Sequence, residues 1–448
     1  MLLTYTRAIF KLDIHLTFFL CFVIQSAIYS QTTLIPDANF EQALIEMNID
    51  TNGFNGNILN NDASNITTLY INDRGIYNLN GIEAFTNLKY LFCFNNHIDT
   101  INITQNAALE ILDIQENKVA AVDLSHNLAL KELYISSNLL NDIDISHNLN
   151  LEFLSCNLNF ISNLNITNNT ALRGLWCYSN NLDAINISTN INLEVLFCSG
   201  NNLNTLDLSQ NTNLITLSCG SNNLSNLSIN SNTALTYLGC SANRIDNLDL
   251  SNNTLLERVL CNNNHLTELD VSNANNLLLL YSQNNNIRTL NFSNNSNLRY
   301  FRAENNNLTH LDFRNSHNNM IADFNVMQNP DLTCIYVDDA TASYLNAWSI
   351  DDNSNFVENE TVCNTLSLDD EIINDFNIFP NPASEIVSVT LNQSQANFQL
   401  YSISGKLVLS KQLNYGENRI HLSNLSSGIY LVRLNSEQSS ITKKLIIN

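Results

Sequence analysis

The sequence repeats with a period of 21 residues, and this repeat constrains the fold more than any other feature of the chain. The pattern Leu-x-x-Leu-x-Cys-x-x-Asn starts at Leu88, a similar second half starts at Ile98, and the unit restarts at Leu109, 21 residues later. This unit, called a coil below, recurs at Leu130, Leu151, Leu172, Leu193, Leu214, Leu235, Leu256, Leu277 and Leu298. Residues two apart, such as Leu91 and Cys93, point to the same face of a strand. Each coil thus predicts two short strands, and stacked coils would share one continuous core.

Two columns of asparagine follow the two predicted strands of each coil. The first column is Asn96, Asn117, Asn138, Asn159, Asn180, Asn201, Asn222, Asn243, Asn264, Asn285 and Asn306. The second is Asn106, Asn127, Asn148, Asn169, Asn190, Asn211, Asn232, Asn253 and, after a lapse at Ala274, Asn295. An inward amide can satisfy the backbone groups of a turn in its own and the next coil, so we interpret both columns as structural.

The pattern resembles the leucine-rich repeats, specifically the bacterial 21-residue variety with two nested half-repeats, from about Ile66 to Leu332. The resemblance implies a curved parallel β-solenoid that binds proteins or glycans through its strand-rich face and has no catalytic role. Residues 31–87 would form an N-terminal cap and an irregular first repeat, with an amphipathic helix over Pro36–Met47. Residues 88–319 would form the repeats and residues 320–363 a C-terminal cap, in which Cys334 and Cys363 are expected to pair.

The first 30 residues predict a secretory signal peptide. Arg7 and Lys11 precede an apolar run over Leu16–Ile28 that is too short to span a bilayer, and cleavage is expected near Ser30. Cys21 raises the alternative of a lipoprotein, but the large residues before it disfavour lipidation.

The C-terminal region differs from the repeats in composition and pattern. Residues 364–376 form a polar, acidic linker. Residues 377–448 carry short alternating segments separated by turn signals, which predict a small β-sandwich. The segments that matter are Phe379-Pro380-Asn381-Pro382, Gly405-Lys406, Ser427-Gly428-Ile429-Tyr430-Leu431-Val432 and the basic ending at Lys443-Lys444. Together they resemble the C-terminal sorting domain of type IX secretion cargo. That resemblance implies recognition by the type IX machinery and a location outside a Gram-negative cell, either released or on its outer surface.

The fold class is therefore predicted as all-β dominated: a leucine-rich-repeat parallel solenoid with a short helical cap and a small C-terminal sandwich. Among 448 residues, only 14% are charged and the formal net charge is -23. The scarcity of Lys and Arg argues against a nucleic-acid partner, because phosphate binding requires basic side chains. We expect no cofactor, no membrane-spanning segment in the mature chain, and a monomer.

Aromatic residues at outward strand positions are the candidate ligand-binding residues. The predicted centre comprises Tyr134, Phe153, Trp176, Tyr178 and Phe197. Clustered exposed aromatics anchor interfaces and stack on sugars, although strands favour aromatics in any case. They predict binding of an extracellular protein or glycan. The alternative is a structural or matrix spacer without a discrete ligand. An enzyme is disfavoured because no convergent acid, base or nucleophile is visible.

Several patterns could suggest a metal, and no metal site is predicted from them. The outward Asp and Ser residues of the second halves, such as Asp123 and Ser125, are interpreted as a solvated polar face with turn hydrogen bonds. Asp50-Thr51-Asn52-Gly53 resembles the start of an EF-hand loop, but Phe54 stands where an oxygen ligand is expected, so calcium in the N-terminal cap is left open. His126 and His147 lack a third ligand column. The repeated Cys column is interpreted as buried apolar thiols, the alternative being a metal or redox ladder.

Overall fold

The computed structural model describes residues 31–366, 376–435 and 440–448. The predicted signal peptide and residues 367–375 of the predicted linker lie outside these ranges. The chain divides into two compact units, Met1–Glu358 and Asn359–Asn448.

A small cap begins the first unit. It contains β1 (Thr32–Leu34), α1 (Ala38–Glu46), β2 (Asn57–Leu59) and α2 (Asn60–Ser64), and β1 pairs antiparallel with β2. One oxygen of Asp37 accepts hydrogen bonds from two N–H groups in the first turn of α1, at 2.9 and 3.0 Å. The other oxygen accepts from the N–H groups of Tyr77 and Asn78, at 2.7 and 3.0 Å. One carboxylate thus caps the helix predicted over Pro36–Met47 and ties it to the first coil.

The repeats form the predicted parallel solenoid. Its strands are β3 (Thr68–Tyr70), β4 (Tyr90–Phe92), β5 (Ile111–Asp113), β6 (Glu132–Tyr134), β7 (Phe153–Ser155), β8 (Gly174–Trp176), β9 (Val195–Phe197), β10 (Thr216–Ser218), β11 (Tyr237–Gly239), β12 (Arg258–Leu260), β13 (Leu279–Tyr281), β14 (Thr289–Asn291), β15 (Tyr300–Arg302), β16 (His310–Asp312), β17 (Asp323–Asn325), β18 (Cys334–Tyr336) and β19 (Asn355–Val357). A 13-stranded parallel sheet contains β3 to β13, then β15 and β17. Neighbouring strands pair in register one coil apart, for example Trp176 with Phe197.

The middle residue of each strand in this large sheet points inward and is buried, as Leu175 and Leu196 show. These residues belong to one core cluster that runs from Ile35 to Trp348. In the last coils larger aromatic side chains take over the core, and the rings of Phe324 and Trp348 stack with centroids 3.9 Å apart. The interior is therefore closed at its C-terminal end by aromatic packing.

The structure differs from the sequence prediction in the second half of most coils. Strands occur there only as β14, β16, β18 and β19, which form a separate four-stranded parallel sheet. In earlier coils the same segment forms a turn, in which Asp123 accepts a hydrogen bond from the N–H of Ser125 at 2.9 Å. The equivalent bond to Asn291 follows β14, so this local contact is compatible with either conformation.

The second unit contains α3 (Glu360–Leu366) and one antiparallel sheet of β20 (Asn377–Phe379), β21 (Ile386–Ser402), β22 (Leu407–His421), β23 (Gly428–Asn435) and β24 (Ser440–Ile447). The register between β21 and β22 shifts between Leu391 and Gln395, and an isolated bridge joins Ala383 to Ile447. The C-terminal module, which was predicted as a small β-sandwich, is thus a single antiparallel sheet that nearly closes into a barrel. Its core includes Phe398, Leu400, Val432 and Leu434.

Candidate recognition surface

The outward positions of the large sheet are the part of the solenoid that the repeat leaves most variable. The first and third residues of each strand face away from the core, and the backbone ladder holds them one strand apart. The first position reads Phe153, Gly174, Val195, Thr216 and Tyr237 in five consecutive coils. Because this ladder needs no particular side chain there, the surface can carry different chemistry from coil to coil.

Three of the five predicted aromatics come together on this surface. The ring centroid of Trp176 in β8 lies 6.4 Å from that of Phe153 in β7 and 6.3 Å from that of Phe197 in β9. The Trp176 and Phe197 rings meet edge to face, at an interplanar angle of 74°. All three side chains are half-buried. They are called the aromatic trio below, and they offer a ligand both ring faces and ring edges.

The aromatic trio packs over Gly174. The sequence prediction missed this glycine. A methyl group in place of its hydrogen would lie 2.6 Å from two ring atoms of Trp176 and 2.8 Å from the Phe153 ring. The indole of Trp176 therefore lies across Gly174, which precedes it by two residues on the same strand. The signal in the sequence was a glycine at an outward position otherwise occupied by Phe153 and Val195 in the flanking coils.

Tyr134 and Tyr178 border this region without joining the ring contacts found among the described residues. The Tyr134 hydroxyl donates a hydrogen bond to Glu132 at 2.8 Å. Burial, followed by this bond to a carboxylate, raises the pKa of Tyr134 above its ordinary value. Tyr134 is therefore a neutral donor at neutral pH, with its proton already committed to Glu132.

Charged side chains just before the strands form ladders of their own. Glu110 accepts hydrogen bonds from Lys89 at 3.0 Å and from Lys131 at 2.8 Å, and these contacts lower its pKa. Arg173 makes a forked pair with Glu194 at 3.0–3.1 Å. The same guanidinium lies 5.9 Å from the centre of the Phe153 ring. Arg173 is thus a positive group at the rim of the trio.

Three exposed apolar residues follow β6 and β7, and the sequence prediction also missed these. They are called the loop-edge residues: Leu139, Leu158 and Phe160, which are 45%, 48% and 52% exposed. Leu158 has a φ of 55°, a left-handed conformation that its counterparts Ser137, Ser179 and Gly200 share. A leucine there is unfavourable by roughly 1 kcal/mol relative to glycine. Packing of the solenoid does not account for it, because the side chain is half in solvent.

The polar face of the second halves makes local turn contacts. The hydroxyls of Ser125 and Ser146 lie 3.0 and 3.2 Å from Nδ1 of His126 and His147, respectively. In the described ranges no group of three or more His, Cys, Asp or Glu side chains is arranged to hold a metal ion.

The cysteines fall into two classes. Seven free thiols are buried in the core column: Cys93, Cys156, Cys177, Cys198, Cys219, Cys240 and Cys261. Burial raises their pKa, for Cys198 to about 12, so each remains a protonated thiol at neutral pH. Cys334 and Cys363 form the predicted disulfide.

Comparison with known proteins identifies the C-terminal module. Residues 377–448 match the family described as "Secretion system C-terminal sorting domain". The module is a type IX sorting domain, which directs the chain to the cell surface or the outside of the cell. The predicted localisation and the predicted partnership with the type IX machinery are confirmed. Every helix in the described ranges is too short or too polar to span a membrane.

Solved structures show the fold of the repeats. The functional domain of InlJ from Listeria monocytogenes, which includes a cysteine ladder, is 23% identical, with a TM-score of 0.62 over 93% of this chain and 99% of that one. The internalin InlF from Listeria monocytogenes is 19% identical, with a TM-score of 0.52 over 72% of this chain and 96% of that one. The leucine-rich-repeat solenoid predicted from the sequence is thereby confirmed.

A curated protein is similar over a shorter stretch. The ulvan lyase NLR42 of Nonlabens ulvanivorans is 30% identical over 105 residues, which is 22% of this chain and 19% of that protein. This chain thus matches about a fifth of the lyase.

Proposed function

We propose that this exported protein is a non-enzymatic recognition protein that binds an extracellular protein or glycan through the aromatic trio. The observation that carries the proposal is the contact of three half-buried rings on adjoining strands, with Trp176 at their centre over Gly174. Aromatic groups clustered on a surface anchor interfaces and stack on sugar rings. The loop-edge residues in the neighbouring loops add apolar surface beside the same coils, as a binding face requires.

The test compares two glycine variants in a glycan array and a pull-down of surface proteins, both with the full chain. Gly174→Ala displaces the indole of Trp176 from its position over residue 174, and it keeps every aromatic residue. Gly239→Ala is the matched control, because its methyl group would lie 3.1 Å from the Tyr237 hydroxyl, away from the trio. We expect a ligand that binds the wild type and the control, and that loses at least about tenfold in affinity for Gly174→Ala, since central interface contacts are worth about 2 kcal/mol.

Other outcomes contradict the proposal in distinct ways. Equal loss in both variants, or a ligand that binds all three proteins alike, would place the site away from the trio. Absence of any ligand in both screens would favour the alternative of a structural spacer. Light scattering on the same preparations tests the expectation of a monomer.

A further inference from the structure

A loop in the N-terminal cap holds two oxygen atoms that no described group satisfies. The loop connects α1 to β2 and begins at Asp50, which is only 5% exposed. Oδ2 of Asp50 and Oδ1 of Asn52 are both buried and have no hydrogen-bond partner among the described residues. A buried polar atom without a partner is unfavourable, and for a carboxylate the penalty is greater. These two atoms, one of them a carboxylate oxygen, would therefore gain stability from a shared partner of another kind.

The surroundings of these oxygens are acidic. Glu41 of α1, which is 2% exposed, uses Oε1 to accept hydrogen bonds from the N–H groups of Asn55 and Gly56. Asp62 of α2 accepts from the N–H and the hydroxyl of Thr51, at 3.2 and 2.6 Å. Burial is the main cause that raises the pKa of Asp50, and the charges of Glu41 and Asp62 act in the same direction. The backbone N–H of Asn52 donates to Oδ1 of Asp50 at 3.2 Å. Oδ2 therefore remains without a partner beside two negative charges.

We propose that Asp50 and Asn52 bind a calcium ion through these two oxygens. Calcium accepts carboxylate, amide and backbone carbonyl oxygens in flexible geometry, and an Asp and an Asn two residues apart supply the first two. A cation here removes both defects at once, because it coordinates the unsatisfied oxygens and offsets the three carboxylates. The loop offers no nitrogen or sulfur ligand, which disfavours zinc and other transition metals. Magnesium is disfavoured because it demands near-ideal octahedral geometry.

The site would be a weak one that stabilises the cap. Among the described residues of this loop, two side chains present buried oxygens without a partner, so waters and backbone carbonyls would complete the shell. We expect a dissociation constant of about 0.1–1 mM, as in other extracellular calcium modules. Since the loop bonds to Glu41 of α1 and to Asp62 of α2, the bound ion would hold together the elements of the cap. This role does not depend on the ligand of the aromatic trio.

The test is a calcium titration of the full chain followed by thermal unfolding and by calorimetry. The wild type should show a saturable rise in its unfolding temperature with calcium and a much smaller one with magnesium. Asp50→Asn keeps the shape of the side chain and removes its charge, and we expect at least about a tenfold loss of affinity. Asn52→Asp adds a charged ligand and should tighten binding about tenfold. The control Asp183→Asn removes a distant, exposed charge and should behave as the wild type.

The gain expected for Asn52→Asp keeps the test decisive even if Asp50→Asn folds poorly. The proposal would be wrong if the wild type showed no response up to about 10 mM calcium, well above the affinity expected for this class. It would also be wrong if Asn52→Asp bound no more tightly, or if Asp183→Asn lost as much affinity as Asp50→Asn.

Discussion

The two halves of one coil satisfy their backbone groups in different ways. In the coil that starts at Leu172, the N–H of Cys177 donates to the carbonyl of Phe197 in the next coil at 2.8 Å. In the second half, the N–H of Ser188 donates to the side chain of Asn186, at 3.1 Å. The strand of the first half thus bonds to the backbone of the next coil, whereas the turn of the second half bonds to a side chain of its own coil.

This difference explains where chemical variety can accumulate. Most second halves have an Asp or Asn followed two residues later by a hydroxyl, because these side chains satisfy the turn, and their outward face varies little. The first half needs no outward side chain for its ladder, so Phe153, Gly174 and Tyr237 can occupy the same place in different coils. Recognition is therefore expected on the first half.

The largest effect should come from removing an asparagine of the first column. Nδ2 of Asn180 donates to the carbonyls of Cys156 and Cys177 at 3.1 Å, and Oδ1 accepts from the N–H of Ile161 at 3.0 Å. Asn180→Ala removes three hydrogen bonds and leaves the buried N–H of Ile161 without a partner, while neighbouring asparagines of the column still donate to the two carbonyls. It should lower the free energy of unfolding by about 4 kcal/mol. Chemical denaturation measures this change.

Asn190→Ala in the second half of the same coil is the matched comparison. Its Nδ2 donates to the carbonyls of Ile166 and Asn169, at 3.0 and 2.8 Å, while its Oδ1 has no partner among the described residues. We expect a loss of about 2 kcal/mol, because two hydrogen bonds are removed but each carbonyl keeps a backbone N–H donor. Equal losses in the free energy of unfolding for the two variants would contradict the expected difference between the two asparagine columns.

A smaller effect is expected at the core thiols. Cys198→Ser places a hydroxyl in a fully buried column and should lower the free energy of unfolding by about 2 kcal/mol. The native thiols should resist alkylation at pH 8, because burial raises the pKa of Cys198 to about 12. Denaturation curves and mass spectrometry after labelling check the two statements. Rapid labelling of the folded protein would show that the alkylating reagent reaches the core of the first half of the coil.

The smallest effect concerns pH and the second half. Hydrogen bonds from Ser146 to Asp144 lower the pKa of that carboxyl below its ordinary value of 3.8, and Ser125, Ser209 and Ser251 lower those of Asp123, Asp207 and Asp249. A depressed folded-state pKa contributes stability that is present above pH 3.8 and lost as the pH falls through the folded pKa.

A variant with all four aspartates changed to asparagine keeps the turn acceptors and removes these titrations. Denaturation between about pH 6 and pH 3 should therefore show less acid destabilisation in the variant than in the wild type. An identical pH profile would mean that ionisation of these four carboxylates contributes nothing to stability.

The sequence determined the architecture because the fold is periodic. A column that repeats every 21 residues places Leu175 beside Leu196 whatever the details of each coil, and the core follows from burial of such columns. The motifs of residues 377–448 identified the sorting domain in the same direct way, since they depend on residues close in the chain. The second strand of each coil was predicted from alternation alone, and among the described residues the structure has it in the last coils, as β14, β16, β18 and β19.

The tertiary structure decided which non-periodic side chains meet. That Trp176 lies over Gly174 and touches Phe153 and Phe197, whereas Tyr134 turns to Glu132, depends on rotamers and lateral spacing that a repeat pattern does not encode. The unsatisfied oxygen of Asp50 became visible only once Glu41 and the surrounding loop were placed around it. Burial of a single polar atom is a property of everything packed against it, so no local sequence motif can specify it.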